Sequence, residues 1–209
     1  MDSVFKKYIE TFSFQSKENN HEIVSFSDFF KELSIFSNYK NISISVTYLN
    51  NENFFISNNH TKGFFLERDI SIDKLENINT EYKKIQKSIG KITNLFGFEN
   101  RYLENITELL SNDADSFGLG VFTEEFNNRI RNNEQKNKID INTLFTIGYE
   151  GNGNRLILDK NNNLYIYGHD LISSNYDTLE DFPPNTFYSI PNIKNLTDLI
   201  SMFFDDFVK

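Results

Sequence analysis

The segment from Thr143 to Asp170 constrains the fold most, and it reads TLFTIGYEGNGNRLILDKNNNLYIYGHD. Three short apolar runs, Leu144–Tyr149, Arg155–Leu158 and Leu164–Tyr167, are separated by two turns rich in Gly and Asn. Such runs are typical of strands, because Gly and Asn accept the left-handed backbone that tight turns require. The segment therefore predicts a three-stranded antiparallel meander.

A C-terminal helix is predicted to close this meander. Its apolar residues recur at three- and four-residue steps along one stripe, at Leu196, Leu199, Ile200, Phe203, Phe204, Phe207 and Val208. Asn195 is a suitable N-cap, with Asp198 placed to reach back to it. All three prolines lie in the intervening segment 171–194. Because proline cannot donate to a central ladder, this segment is expected to be a loop or an edge excursion.

The N-terminal portion mixes helical and strand patterns. Helices are expected at 2–12, 26–37, 71–96, 101–110 and about 122–131. A hairpin is expected from Ile42–Tyr48 to Asn53–Ser57, with Gly63–Glu67 as a third strand. The polar run at 132–138 is the candidate boundary between residues 1–138, forming the same domain or a separate subdomain, and residues 139–209. The predicted class is α+β, a mainly antiparallel sheet flanked by helices.

The composition limits the covalent and metal-binding chemistry available to the chain and indicates its cellular compartment. The 209 residues suffice to bury a sizeable core, and the lack of Cys excludes disulfides, thiolate metal sites and a Cys nucleophile. The first residues lack the pattern of a signal peptide, and the longest apolar runs fall far short of the ~20 residues that span a bilayer. A cytoplasmic protein that does not contact a membrane is expected.

The net charge of −9 is concentrated towards the C-terminus, where residues 139–209 hold ten acidic and four basic residues. An acidic surface repels phosphate backbones, so nucleic-acid binding is not expected. It attracts a basic protein partner, because complementary charge steers encounter. The same surface could serve only to keep the protein in solution, and the sequence leaves both interpretations open.

The motifs that suggest chemistry have simpler explanations. The glycines of GYEGNGN are followed by a strand, whereas a phosphate-binding loop begins a helix. The DKNNN turn matches part of a calcium-loop register, but Leu164 stands where that loop requires Gly. His169 beside Asp170 could form an acid–base pair, although one such pair at a strand end is usually structural. We therefore expect no catalytic residues, no metal and no cofactor.

The C-terminal third resembles the SUKH superfamily. The resemblance rests on the strand LFTIG, the turn YEGNGN, the strand LILD ending in an acid, the aromatic strand LYIYGHD and the closing helix LTDLISMFFDDFV. It covers mainly residues 139–209 and implies a sheet flanked by helices. Many bacterial members of that family are immunity proteins that bind and neutralise polymorphic toxins, frequently nucleases, and others are general interaction modules.

Taken together, these features favour a non-enzymatic protein-binding module, most simply an immunity protein that covers a basic toxin surface with an acidic face. The residues expected to contact the partner are Tyr149, Glu150, Asp159, Tyr167, Asp170, Tyr176, Asp177, Glu180 and Asp181. Tyr165 and Tyr167 share one face of a strand, so both could instead belong to the core. An intracellular scaffold domain is the alternative, and an enzyme using His169 is a third.

Overall fold

In the part of the chain that the structure describes, a single antiparallel sheet of 11 strands dominates the fold. The computed structural model describes residues 21–30, 33–58, 61–68, 78–111, 123–124, 126–128, 140–168, 176–179, 182 and 185–209. The strands are β1 (His21–Ser25), β2 (Ser43–Tyr48), β3 (Asn53–Asn58), β4 (Lys62–Glu67), β5 (Lys91–Phe96), β6 (Ile106–Leu109), β7 (Phe145–Glu150), β8 (Arg155–Leu158), β9 (Leu164–Tyr167), β10 (Asp177–Thr178) and β11 (Phe187–Ser189). They lie in chain order except that β11 separates β9 from β10. An antiparallel sheet with a few helices agrees with the predicted α+β class.

Among the described residues, the α-helices with defined bounds are α1 (Phe26–Phe29), α2 (Thr80–Ile89) and α3 (Leu196–Phe207). Short 3-10 helices span Ser34–Tyr39 and Ile141–Thr143. The predicted closing helix is confirmed, since the Asn195 side chain accepts from the Asp198 N–H at 2.9 Å. Asp198 in turn accepts from the Lys194 N–H at 3.0 Å. In the described part of the chain, none of the helices combines the length and apolar character needed to cross a bilayer.

The predicted meander is confirmed as β7, β8 and β9, each antiparallel to the next. Its turns use left-handed residues, with φ of 91° at Gly153 and 67° at Asn162. Gly148 has a different role, because a Cβ there would lie 2.6 Å from the Glu108 carbonyl oxygen on β6. That glycine therefore allows β6 to approach closely. Beyond β9, the proline-bearing segment supplies β11 and the outermost strand β10, in agreement with an edge excursion.

The N-terminal hairpin is also confirmed. Strands β2 and β3 pair through Val46 opposite Ile56 and Thr47 opposite Phe55. Strand β4 continues the sheet as predicted, one residue longer than the expected range. Alternation of side chains between the two faces identifies such strands, because their period of two differs from that of a helix.

Two predicted helices are wrong in whole or in part. Of the helix expected over 71–96, residues 71–77 lie outside the described residues, and α2 spans Thr80–Ile89. Gly90, with φ of 102°, ends α2, and β5 follows. A Cβ at Gly90 would lie 2.5 Å from the Glu67 carbonyl oxygen, so the chain turns back directly against β4. The helix expected over 101–110 is instead a turn followed by β6. Pairing with β5 and β7 outweighs local helical spacing there.

The helix expected over 26–37 is split into α1 and the first 3-10 helix, on either side of residues 31–32, which lie outside the described residues. The helix expected at 2–12 and the loop at 112–120 lie entirely outside them. Of the helix expected near 122–131, the described residues 123–124 and 126–128 are helical. Aromatic packing joins α1 to the first 3-10 helix, since Phe26 packs against Phe30, Phe36 and Tyr39 at 4.8–5.3 Å between ring centroids.

The main core lies between one face of the sheet and helix α3. Phe204 contacts the rings of Phe26, Phe30 and Phe36 at 5.1–5.2 Å. Phe203 and Phe207 contact Phe64 of β4 at 5.2 and 5.1 Å. All three phenylalanines of α3 are fully buried, and each such burial contributes roughly 2–3 kcal/mol. The last helix therefore packs on strands that precede the proposed boundary at 138, and β6 pairs with β7 across it.

Candidate protein-binding surface

The nine residues expected to contact a partner fall in different environments. Asp170, Glu180 and Asp181 lie outside the described residues. Tyr167 is fully buried, in a second core on the sheet face opposite α3. Its ring lies 5.4 Å from Phe187 and 6.3 Å from Phe126. The expectation that Tyr167 anchors a partner is corrected, because its ring is already covered by this chain.

Tyr149 lies on the same face as Tyr167, in a row of directly opposite residues that crosses the sheet. It is flanked by Glu108 of β6 and Arg155 of β8. The Arg155 guanidinium carbon lies 5.4 Å from the Tyr149 ring centroid. Tyr149 is half-buried, and part of its ring is therefore engaged by its own sheet.

Asp159 is buried and serves the β8–β9 turn. Its Oδ1 accepts from the N–H groups of Asn161 and Asn163 at 2.8 and 2.9 Å, and its Oδ2 accepts from Asn163 Nδ2 at 2.8 Å. The expectation that Asp159 faces a partner is corrected, since its oxygens hold the turn. Burial, followed by the negative charge of Asp159 and a hydrogen bond to it, raises the pKa of Tyr165 to about 12.

Glu150 and Tyr176, two of the nine residues expected to contact a partner, contact each other. The Tyr176 hydroxyl donates to Glu150 Oε1 at 2.7 Å, and Asn154 Nδ2 donates to Oε2 at 2.8 Å. Glu150 is only 4% exposed. Both of its donors are neutral, and no Lys or Arg of the described residues forms an ion pair with it. Its carboxylate thus lies just beneath the surface with no cation of the described chain to compensate it.

Tyr102 and Arg101 extend this pair towards the solvent. The rings of Tyr102 and Tyr176 are 5.7 Å apart and inclined at 42°. The exposed Arg101 places its guanidinium carbon 4.7 Å from the Tyr102 centroid and donates from Nη2 to the Tyr102 hydroxyl. Burial raises the pKa of Tyr176 well above its ordinary value, followed by the hydrogen bond to and charge of Glu150 and smaller effects of Tyr102 and Glu104. Burial and the neighbouring carboxylates thus both favour the neutral form of Tyr176.

We call the set Arg101, Tyr102, Glu104, Glu150, Tyr176 and Asp177 the tyrosine rim. Glu104 and Asp177 are exposed, and Tyr102 and Tyr176 are half-buried. Sequence reasoning missed Arg101, Tyr102 and Glu104, because the apolar spacing of 101–110 predicted a helix. The adjacency of Tyr102 to Tyr176 depends on sheet register, and no local pattern reports it.

The backbone beneath the tyrosine rim is fixed by contacts from several directions. The Gly151 N–H donates to the Asn105 carbonyl at 2.8 Å, which joins the β7–β8 turn to the connection before β6. Asp206 Oδ2 accepts from the N–H groups of Glu99 and Asn100 at 2.9 and 3.3 Å. Asn100 Oδ1 then accepts from the Tyr102 N–H at 3.0 Å. The rim is therefore presented on a scaffold held by α3, as a preorganised binding surface requires.

Metal and acid–base chemistry find little support in the described residues. Among the described residues, no group of three or more His, Asp and Glu side chains is arranged to hold a metal ion. His21 lies near Thr47 and Ser45 at 3.3–3.4 Å, whereas His60 and His169 lie outside the described residues. The acid–base pair suggested by His169 and Asp170 stays a prediction.

Comparisons with known proteins add no further assignment. No family model, no curated protein and no solved structure matches this chain. The SUKH resemblance therefore stays a prediction from the sequence.

Proposed function

We propose that this chain is a non-enzymatic protein-binding module that engages a basic partner through the tyrosine rim, and that it acts as an immunity protein against a polymorphic toxin. The observation that carries the proposal is the buried Glu150 carboxylate, which has neutral hydrogen-bond donors and no cation among the described residues. Buried charges are ordinarily paired, so an unpaired one at a surface is suited to a cation supplied from outside.

The composition of the tyrosine rim supports protein binding. Tyr and Arg are enriched at interface hot spots, because they offer a large contact area together with hydrogen-bonding groups. Tyr102 and Tyr176 are half-buried and adjacent, so their remaining surface can be covered by a partner at little conformational cost. The exposed acids Glu104 and Asp177 beside them favour a basic partner and increase its rate of encounter.

The immunity role follows from charge and from the sequence resemblance together. A nuclease toxin carries a basic surface for its phosphate substrate, and an acidic protein that covers this surface blocks catalysis without chemistry of its own. The net charge of −9 suits such a partner. The SUKH-like meander and closing helix point to the same class of protein, and a toxin acting in the cytoplasm would require its inhibitor there.

The test uses the toxin encoded by the gene next to that of this chain. The toxin domain is expressed alone and with this chain, and growth and complex formation by size-exclusion chromatography are measured. We expect growth to be rescued and a stable complex to form. A neighbouring gene without a toxin, or a toxin that does not bind, would overturn the immunity role. Binding without growth rescue would instead indicate a scaffold.

The surface is tested by charge reversal with a matched control. Glu104→Lys combined with Asp177→Lys should weaken toxin binding by about tenfold or more, mainly by slowing association. Glu52→Lys combined with Asp28→Lys changes the net charge equally at two other exposed acids and should have a much smaller effect. Equal effects of the two double variants would show that overall charge, rather than the tyrosine rim, determines binding.

A further inference from the structure

We infer that the tyrosine rim receives an arginine side chain of the partner, and that Arg101 occupies part of this position in the free protein. This inference rests on the proposed function and specifies the chemistry of the group that is bound. It follows from the placement of one exposed guanidinium beside two tyrosine rings and a buried carboxylate.

The contact of Arg101 with Tyr102 shows which group the rings accept. The guanidinium carbon lies 4.7 Å from the ring centroid, and Nη2 donates to the ring's hydroxyl. A planar guanidinium can stack on a tyrosine and donate hydrogen bonds at its edge, whereas an ammonium is compact and strongly hydrated. Arg101 is exposed, so its guanidinium lies where a side chain of the partner can reach the Tyr102 ring.

Tyr176 supplies the second half of the position. Its ring is 5.7 Å from that of Tyr102 and inclined at 42°, so the two half-buried rings form an aromatic corner. The Tyr176 hydroxyl is oriented by Glu150 at 2.7 Å, and Glu104 is exposed nearby. An arginine entering this corner meets aromatic surface and the exposed Glu104, while the negative charge of the buried Glu150 lies behind the Tyr176 hydroxyl. A lysine would use the charge but would stack less well.

Among the described residues, Arg68 and Arg155 also stack on aromatic rings but differ from Arg101. Arg68 lies over Phe29 and Phe54 at 4.5 and 5.3 Å and donates to the Phe29 carbonyl at 3.0 Å. Arg155 lies over Tyr149 within the sheet. Both are half-buried. Arg101 is the exposed member of the three, so it is the one that a partner can replace without opening the core.

The test uses blocked amino acids as probes and tyrosine NMR as the readout. Nα-acetylarginine amide, Nα-acetyllysine amide and Nα-acetylcitrulline amide are titrated into protein carrying 13C-labelled tyrosine. We expect saturable shifts of the Tyr102 and Tyr176 ring signals, strongest for arginine, weaker for lysine and weakest for neutral citrulline. Equal responses to arginine and lysine, or responses spread over the tyrosines at large, would overturn the assignment to arginine.

Variants test the role of Arg101. Arg101→Ala should bind the arginine probe about two- to fivefold more tightly, because the competing guanidinium is removed. Lys40→Ala removes one positive charge at another exposed position and should leave the probe's affinity unchanged. Unchanged or weaker binding by Arg101→Ala would overturn the role of Arg101 as the internal occupant. Tyr102→Leu should abolish the arginine response while the protein stays folded, as judged by its other tyrosine signals.

The two proposals fail in distinguishable ways. If the toxin binds but neither Tyr102→Leu nor Arg101→Ala changes its affinity, and the arginine probe gives no response, only the arginine inference fails. If the probe binds as expected but no toxin is neutralised, the immunity role fails and the arginine position is retained. Loss of both the probe response and toxin binding in Tyr102→Leu supports both proposals.

Discussion

Lys62 of β4 and Asp206 of α3 form a buried ion pair that joins the sheet to the last helical turn. Lys62 Nζ lies 3.3 Å from Asp206 Oδ1 and donates to the Asp206 carbonyl at 2.7 Å. Their side chains are only 5% and 8% exposed. The ammonium thus neutralises the carboxylate and satisfies a carbonyl near the helix C-terminus, where a positive charge is favourable. The same carboxylate holds Glu99 and Asn100 through its Oδ2.

Lys62→Met should lower the free energy of unfolding by about 3–5 kcal/mol, because it leaves the Asp206 charge buried without its partner. Urea unfolding followed by circular dichroism measures the change. Lys91→Met is the matched control, since Lys91 pairs at 3.1 Å with Glu67, whose side chain is 45% exposed, and Glu67 can be solvated when its partner is removed, so the loss should be smaller. Similar losses for the two variants would contradict a special role for the buried pair.

Gly97→Ala should destabilise the fold by about 1–3 kcal/mol, because Gly97 has φ of 74° and a Cβ there would lie 2.1 Å from the Thr61 carbonyl oxygen. The variant therefore forces the β5 end away from β4. Thermal and urea unfolding measure the loss. At Gly151 the nearest atom to an added Cβ is 3.5 Å away, so Gly151→Ala should change stability by less than about 0.5 kcal/mol. A neutral Gly97→Ala would show that the two strands separate there without cost.

The parts of the fold that were predicted from sequence are those with a local signal. The hairpin, the meander and α3 were identified from alternation, turn residues and a helical stripe. The predicted helix over 71–96 was wrong at 91–96, because Ile92 and Phe96 continue the helical spacing of Ile85 and Ile89. Only the left-handed Gly90 and the pairing of β5 with β4 reveal the strand.

The candidate site was predicted in part for a related reason. Glu150 and Tyr176 were identified from their residue types, but their contact with Tyr102 depends on the register of β6 against β7. Asp159 and Tyr167 have the same chemistry as interface residues, yet one holds a turn and the other fills a core. Residue type indicates what a side chain can do, and long-range packing determines whether it is available.

Stability should fall as the pH rises above about 10. The pKa of Tyr165 is raised to about 12 in the folded protein, while an unfolded tyrosine titrates near 10. The folded state therefore holds the Tyr165 proton more tightly than the unfolded state does. The resulting contribution to the free energy of unfolding is fully present below pH 10 and is lost as the pH approaches 12. Urea midpoints measured from pH 8 to 12 check this. Tyr165→Phe should show a shallower decline over the same range, and an unchanged slope would contradict the assignment to Tyr165.

Glu150→Gln should affect the binding of the partner much more than the stability of the free protein. Gln keeps an oxygen that accepts from the Tyr176 hydroxyl and removes a buried charge, but its NH2 group then faces the Asn154 Nδ2 donor. The free energy of unfolding should therefore fall by no more than about 1 kcal/mol. Binding of the basic partner should weaken by about tenfold, because the compensating charge is lost. Urea unfolding and calorimetric titration measure the two effects on one preparation.

The control for this variant is Glu81→Gln, since Glu81 also accepts from two neutral donors, Thr197 Oγ1 at 2.6 Å and Asn162 Nδ2 at 2.7 Å. Glu81 is exposed, so its charge is solvated and its replacement should alter neither stability nor partner binding appreciably. If Glu150→Gln instead lost more than about 2 kcal/mol of stability and retained full affinity, Glu150 would be a structural residue. A stable variant with reduced affinity would show that the buried charge serves binding.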